Sequence, residues 1–148
     1  PVYCHAADQE MLAHPSAGLG PRLVPLIEQL LGSDSLDLPS DLRDYPDAID
    51  LADLRIRTHH TPGHTPGSVV LEIADETEKV YFTGDLIFQG TIGRTDLPGG
   101  DVEAIRSSLA WVAGLDNMAR LVPGHGPSTV IALELRSNPY LQPNFLED

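Results

Sequence analysis

The chain has 148 residues and a formal net charge of −13, with 9 Lys and Arg scattered along it. That is the length of one domain. The absence of a basic patch removes nucleic acid and anionic membrane surfaces from its expected partners. A hydrophobic share of 41% can build a core without covalent staples, and the single cysteine, Cys4, excludes an internal disulfide framework and suits a reducing, cytoplasmic compartment.

In chain order, Val2 to His5 reads as a short strand already under way behind Pro1, so we expect the chain to be the later part of a longer domain. Cys4 is expected to be a small buried apolar residue of that strand. Asp8 to Leu12 opens a brief helix ended by Pro15, with His5 and His14 as polar surface or supporting residues. Gly20-Pro21, then Leu23, Val24, Leu26, Ile27, Leu30 and Leu31, then Gly32 make a complete helix signature. From Ser33 to Asp53 the chain is acidic and interrupted by Pro39 and Pro46, which forbid a continuous helix and predict a solvated connection.

Ala48–Leu51 and Leu54–Thr58 read as two strands around Ala52-Asp53, followed by Val69–Ile73 and Val80–Thr83. Their short connections predict an antiparallel meander. Leu86-Ile87-Phe88 leads into a glycine-rich loop from Gln89 to Gly100, long enough to suggest function. Asp101 should cap a helix carrying Val102, Ile105, Leu109 and Val112 on one face and ending at Gly114. Ala119 to Pro123 is another strand, and Ser128 should cap a last helix to about Arg136, stopped at Asn138-Pro139.

Three of the strands end alike. Leu54–Thr58 runs into Thr61-Pro62-Gly63-His64-Thr65-Pro66-Gly67-Ser68, Val80–Thr83 into Gly84-Asp85, and Ala119–Pro123 into Gly124-His125. Glycine lets the backbone turn sharply, so the next side chain can enter a shared space. His64, Asp85 and His125 are of metal-ligand type and are expected to converge on a metal. Alternating and fully apolar strands together suggest sheet faces packed inside with helices outside.

These corners, with Gly93-Arg94-Thr95-Asp96-Leu97-Pro98-Gly99-Gly100-Asp101, Leu121–Pro127 and Asn138-Pro139-Tyr140-Leu141, resemble the metallo-β-lactamase-fold hydrolase superfamily. The resemblance is closest to its hydroxyacylglutathione hydrolase (glyoxalase II-like) branch and runs over most of the chain. It implies an α+β fold, a four-layer αββα sandwich with the metal site at one edge between two sheets. Residues 1–148 would form a single domain of this type, incomplete at its N-terminal side. By resemblance, His64 is a ligand of the first metal and His125 of the second. Asp85 bridges the two and orients the attacking hydroxide. His59 and His60 match no ligand position and are expected to line the rim or to pack.

The family's His-x-His-x-Asp-His motif is not among these residues and is expected upstream; without it, the chain alone should bind metal weakly. The complete protein would hold two divalent ions, zinc with iron or manganese as alternatives. It would hydrolyse a small-thiol thioester, with metal-bound hydroxide as nucleophile. Arg94 is a candidate contact for an anionic substrate tail, against the simpler expectation that it pairs with Asp96 and stiffens its loop. Two other readings remain open: a persulfide dioxygenase of the same superfamily using one iron, and a catalytically degenerate interaction domain. The expected partner is a small-molecule thioester, with self-association left open.

Overall fold

A computed structural model describes residues 1–147. Val2–Tyr3 (β1) pairs in parallel with Leu42–Arg43 (β2), and three helices lie between them: Gln9–Ala13 (α1), Pro15–Leu19 (α2) and Val24–Leu31 (α3). Pro15, expected only as a stop, also opens α2, because a missing N–H costs nothing in a first turn. Gly32 ends α3 in the left-handed region, φ 82°, as its place in the signature predicts. The acidic connection is tied down beyond its pairing through β2, and two of its aspartates take part. Asp34 accepts bonds from the backbone N–H and hydroxyl of Ser16, and Asp44 accepts from the N–H of Ala6 at 3.2 Å. Cys4 is half-buried just past β1 rather than part of the core. Burial, and then Asp8 and Asp44, push its thiol pKa up.

Ala48–Leu51 (β3), Leu54–His60 (β4), Val69–Ala74 (β5) and Lys79–Gly84 (β6) form the expected antiparallel meander, with Ile56 opposite Ile73 and Ile73 opposite Val80. The predicted loop after Asp85 is partly structured. Ile87–Phe88 (β7) and Thr91–Ile92 (β8) close into a small antiparallel pair. Asp101 caps Val102–Ala113 (α4) through the N–H of Ala104, 2.9 Å away. Arg120–Pro123 (β9) then enters beside β6 in parallel, and Thr129–Val130 (β10) completes a six-stranded sheet of order β10-β9-β6-β5-β4-β3. Ser128 caps no helix. The chain runs on as β10, with Thr129 paired to Leu121, and Ile131–Ser137 (α5) starts from Val130 without a side-chain cap. Pro143–Leu146 (α6) follows.

The two faces of this sheet differ. Val70, Tyr81 and Leu121 point toward Ile105, Leu109 and Val112 of α4 and are buried with them. The alternate residues Leu54, Ile56, Ile73, Val80, Phe82 and Val122 make the opposite face, where Leu54 and Phe82 are 39% and 43% exposed. In a four-layer sandwich this apolar face turns toward a second sheet. The described residues supply one large sheet and its helices, the later portion of the expected αββα fold.

Candidate metal centre

The octapeptide Thr61–Ser68 is held from three sides. Its ends close on each other, the Thr61 N–H donating to the Ser68 carbonyl at 2.9 Å. Helix α4 straps its first half: the Ser108 hydroxyl donates to the Pro62 carbonyl at 2.7 Å, and the Asp101 N–H to the Gly63 carbonyl at 2.9 Å. Gly63, at φ 138°, lies so close to Ile105 that any Cβ there would collide with it. Asp8 braces the second half, accepting from the Thr65 hydroxyl at 2.5 Å and the Gly67 N–H at 2.6 Å.

His64 therefore projects from a rigid turn. Its Nδ1 lies 2.8 Å from the Arg94 carbonyl. A carbonyl only accepts, so Nδ1 carries the proton and the Nε2 lone pair is left free. That Nε2 stands 3.7 Å from Oδ2 of Asp85. Asp85 leaves β6 through Gly84, whose carbonyl accepts from the Gly124 N–H at 2.8 Å. The two corner glycines thus touch, and a Cβ on Gly124 would sit 2.6 Å from Asp85 Oδ1. His125 turns its Nε2 to that same Oδ1 at 3.8 Å, and its ring stacks on Phe88 with centroids 4.3 Å apart. Exposure rises from 23% at the His64 side chain through 36% at Asp85 to 70% at His125.

The three residues expected to converge do so, and each histidine faces a different oxygen of one carboxylate. Two donors on one tetrahedral zinc lie roughly 3.3 Å apart, given bond lengths of about 2.0–2.2 Å. Each His–Asp pair is within a few tenths of an ångström of that spacing. One imidazole and one carboxylate oxygen are less than the three protein ligands of a catalytic zinc. Among the described residues, no group of three or more His, Cys, Asp or Glu is arranged to hold a metal ion. The donor set fits a share of a two-metal centre and does not complete one.

Arg94 grips Asp96 with both arms, Nε to Oδ1 at 2.7 Å and Nη2 to Oδ2 at 2.8 Å. The pairing lowers the Asp96 pKa to about 2. Its guanidinium is committed to the loop, and it is the Arg94 carbonyl that touches the site. His60 stacks on His5, 4.2 Å between centroids, and its Nε2 lies 2.8 Å from the Pro66 carbonyl. His59 packs away from the centre, against Trp111 and 3.0 Å from Glu72.

Two residues with a bearing on the site were not anticipated. Glu134 is fully buried. It accepts from the Thr129 hydroxyl at 2.5 Å, the Gly90 N–H at 2.8 Å and Asn138 Nδ2 at 2.9 Å. Asn138 Nδ2 also donates to the Phe88 and Thr91 carbonyls at 3.3 and 3.1 Å. This clamp fixes the β7–β8 hairpin, which starts behind Asp85, carries Phe88 under His125 and ends at Gly93-Arg94. No signal in the sequence marked this role: Glu134 shares its short helix with Arg136 and Ser137, and its partner Gly90 is 44 residues away.

The chain belongs to the metallo-beta-lactamase superfamily, whose family model matches residues 1–125. An uncharacterized protein of Mycobacterium tuberculosis is 41% identical over 146 residues, covering 96% of this chain and 65% of the relative. The probable metallo-hydrolase YqgX of Bacillus subtilis is 34% identical over 144 residues, covering 95% and 64%. A shorter match, 47% over 83 residues, reaches the hydroxyacylglutathione hydrolase GloC of Haemophilus influenzae and covers 55% of this chain and 38% of that protein. Among solved structures, the BLEG-1 B3 metallo-beta-lactamase superposes with TM-score 0.74 at 32% identity, covering 96% of this chain and 65% of that one. TTHA1623 in a di-iron-bound form superposes with TM-score 0.71 at 35% identity, covering 95% and 65%. The chain spans about 65% of the length of these fuller matches. No helix among the described residues is long and apolar enough to cross a membrane.

Proposed function

We propose that the complete protein is a metal-dependent hydrolase that cleaves a small-thiol thioester, with His64, Asp85 and His125 as this chain's share of a two-metal centre. The observation that carries the reading is the placement of two imidazoles on opposite oxygens of one carboxylate, 3.7 and 3.8 Å away. Asp85 is then the shared ligand, and the Arg94 carbonyl and the Phe88 ring orient the two histidines. Such outer contacts are a regular part of metal sites. Zinc or iron bound there would supply Lewis acidity and a water nucleophile active at neutral pH. The remaining ligands would come from the third of the protein that the longer relatives possess.

The thioester as substrate is supported by the match to a hydroxyacylglutathione hydrolase. It is also supported by chemistry: a thiol leaves as a fairly stable anion, with pKa about 8.5, so the site needs no strong general acid. We assign the protein to the cytoplasm, where small-thiol thioesters are found and a lone half-buried cysteine stays reduced.

The test is thiol release from S-acylglutathione by the full-length protein, loaded with zinc or with iron, beside its Asp85→Ala variant. The expected result is turnover that falls at least about 100-fold in the variant. An unchanged rate would remove Asp85 from the mechanism. Oxygen uptake with glutathione persulfide in place of thioester cleavage would replace hydrolysis by the dioxygenase reading. Activity toward neither substrate would favour an interaction domain.

A further inference from the structure

A cavity of about 250 Å³ opens beside His64, between the α1–α2 segment and the glycine-rich loop. Met11, Pro15 and Leu19 form one wall, Leu97 and Pro98 the other, and the lining includes no Asp, Glu, Lys or Arg. The walls are held in place. Asp8, at the start of α1, binds Thr65 and Gly67 of the octapeptide. Met11 is seated between two glycines: a Cβ on Gly99 would lie 2.8 Å from its methyl carbon, and one on Gly18 would lie 3.1 Å from its sulfur. His64, at the inner end, cannot swing away while Nδ1 holds the Arg94 carbonyl. On the Asp85 side the surroundings are polar, with Cys4, His5 and Asp8 lining a separate cavity.

Two cations, Arg22 and Arg94, lie three residues from a lining residue in sequence; neither lines the cavity, Arg94 is bound to Asp96 by both arms, and the chain as a whole is strongly acidic. Away from the His64 end, nothing lining the cavity would compensate a negative charge placed in it, and burying an unpaired charge is expensive. The volume is at the small end for ligand pockets, below the roughly 300–1,000 Å³ that holds drug-sized molecules. We infer that the apolar cavity beside His64 is the acyl subsite of the proposed thioesterase and selects a short, uncharged aliphatic acyl group. The inference rests on the thioesterase reading. In the reaction, the carbonyl carbon gains a bond to the oxygen of water and loses its bond to sulfur. The products are the carboxylic acid and the thiol, which between them keep both protons of the water.

The experiment uses the full-length, metal-loaded protein with S-acetyl-, S-butanoyl-, S-hexanoyl- and S-succinylglutathione. The expected kcat/KM rises about fourfold per methylene, the value of one buried methylene, from acetyl toward hexanoyl. The succinyl thioester, as long as butanoyl but charged, should fall well below it. Leu19→Lys, at a half-exposed position that tolerates a long polar side chain, should flatten the chain-length series and narrow the succinyl deficit. Independently of turnover, sodium hexanoate should shift the NMR signal of the Met11 methyl, and sodium succinate should not.

A flat series with an unshifted Met11 methyl would overturn the subsite while thioester cleavage stands. A shifted methyl in a protein that cleaves no thioester would overturn the thioesterase reading, and the acyl assignment with it, leaving an apolar-chain site. Neither turnover nor shift would sink both.

Discussion

Replacing Glu134 with alanine removes the one acceptor shared by three donors behind the β7–β8 hairpin. Asn138 keeps its bonds to the Phe88 and Thr91 carbonyls, so its amide is not stranded. The Thr129 hydroxyl is, at a site 5% exposed, and an unsatisfied buried polar group costs about 1–3 kcal/mol. The Gly90 N–H can turn to water and loses a bond of about 1 kcal/mol. The total, about 2–4 kcal/mol, corresponds to a fall in Tm of roughly 4–16 °C for a protein of this size class. Glu134→Gln keeps an acceptor for Gly90 and Asn138 and offers an N–H to the Thr129 oxygen, so it should cost about 1 kcal/mol or less. Differential scanning calorimetry of the two variants measures both numbers. The NMR shift of the His125 ring, which lies over Phe88, reports whether the hairpin has moved. An alanine variant that melts within a degree of the parent, with an unmoved His125 signal, would refute the clamp.

Gly124→Ala places a methyl 2.6 Å from Asp85 Oδ1. Overpacking of this kind costs about 1–3 kcal/mol and should turn the carboxylate away from His125. Zinc titration of the full-length variant should show weaker binding, and an unchanged affinity would mean that Asp85 does not need this space. Arg94→Ala should release the Asp96 carboxyl from about 2 toward the ordinary value of about 3.9, read by NMR titration. Because the folded pKa is lowered, the ion pair stabilises the loop above the unfolded pKa and loses that effect as pH falls toward 2. Both groups are exposed, so the effect belongs to the loop rather than to global stability. An unmoved Asp96 midpoint would contradict the pairing.

The parts of this protein that follow from local rules were legible in the chain. The meander, the Asp101 cap, the Gly32 stop and the three strand-ending corners depend on period-two alternation, on capping chemistry and on where glycine permits a turn. All of these act within a few residues. The convergence of His64, Asp85 and His125 was also readable from the repeated strand–glycine–ligand pattern, and the sheet brings it about by running β4, β6 and β9 in one direction, with β5 between β4 and β6. Their orientation was not readable. It depends on the Arg94 carbonyl reaching His64 across 30 residues, on Phe88 under His125, and on Gly124 leaving room for Asp85.

The same reason explains the local misreadings. Ser128 has the chemistry of a helix cap, but pairing of Thr129 with Leu121 drew that backbone into the sheet. Thr91 and Ile92 looked like loop until Ile87 and Phe88 gave them partners. Glu134 was indistinguishable from a surface glutamate, because its partner Gly90 lies 44 residues away. Asp8 and Gly67, which bring the first helices against the His64 corner, are 59 residues apart. Short-range sterics and periodicity determine which elements form and where they stop. Which atoms face one another inside the site is decided by hydrogen bonds and close contacts between distant segments, which exist only once the chain has packed.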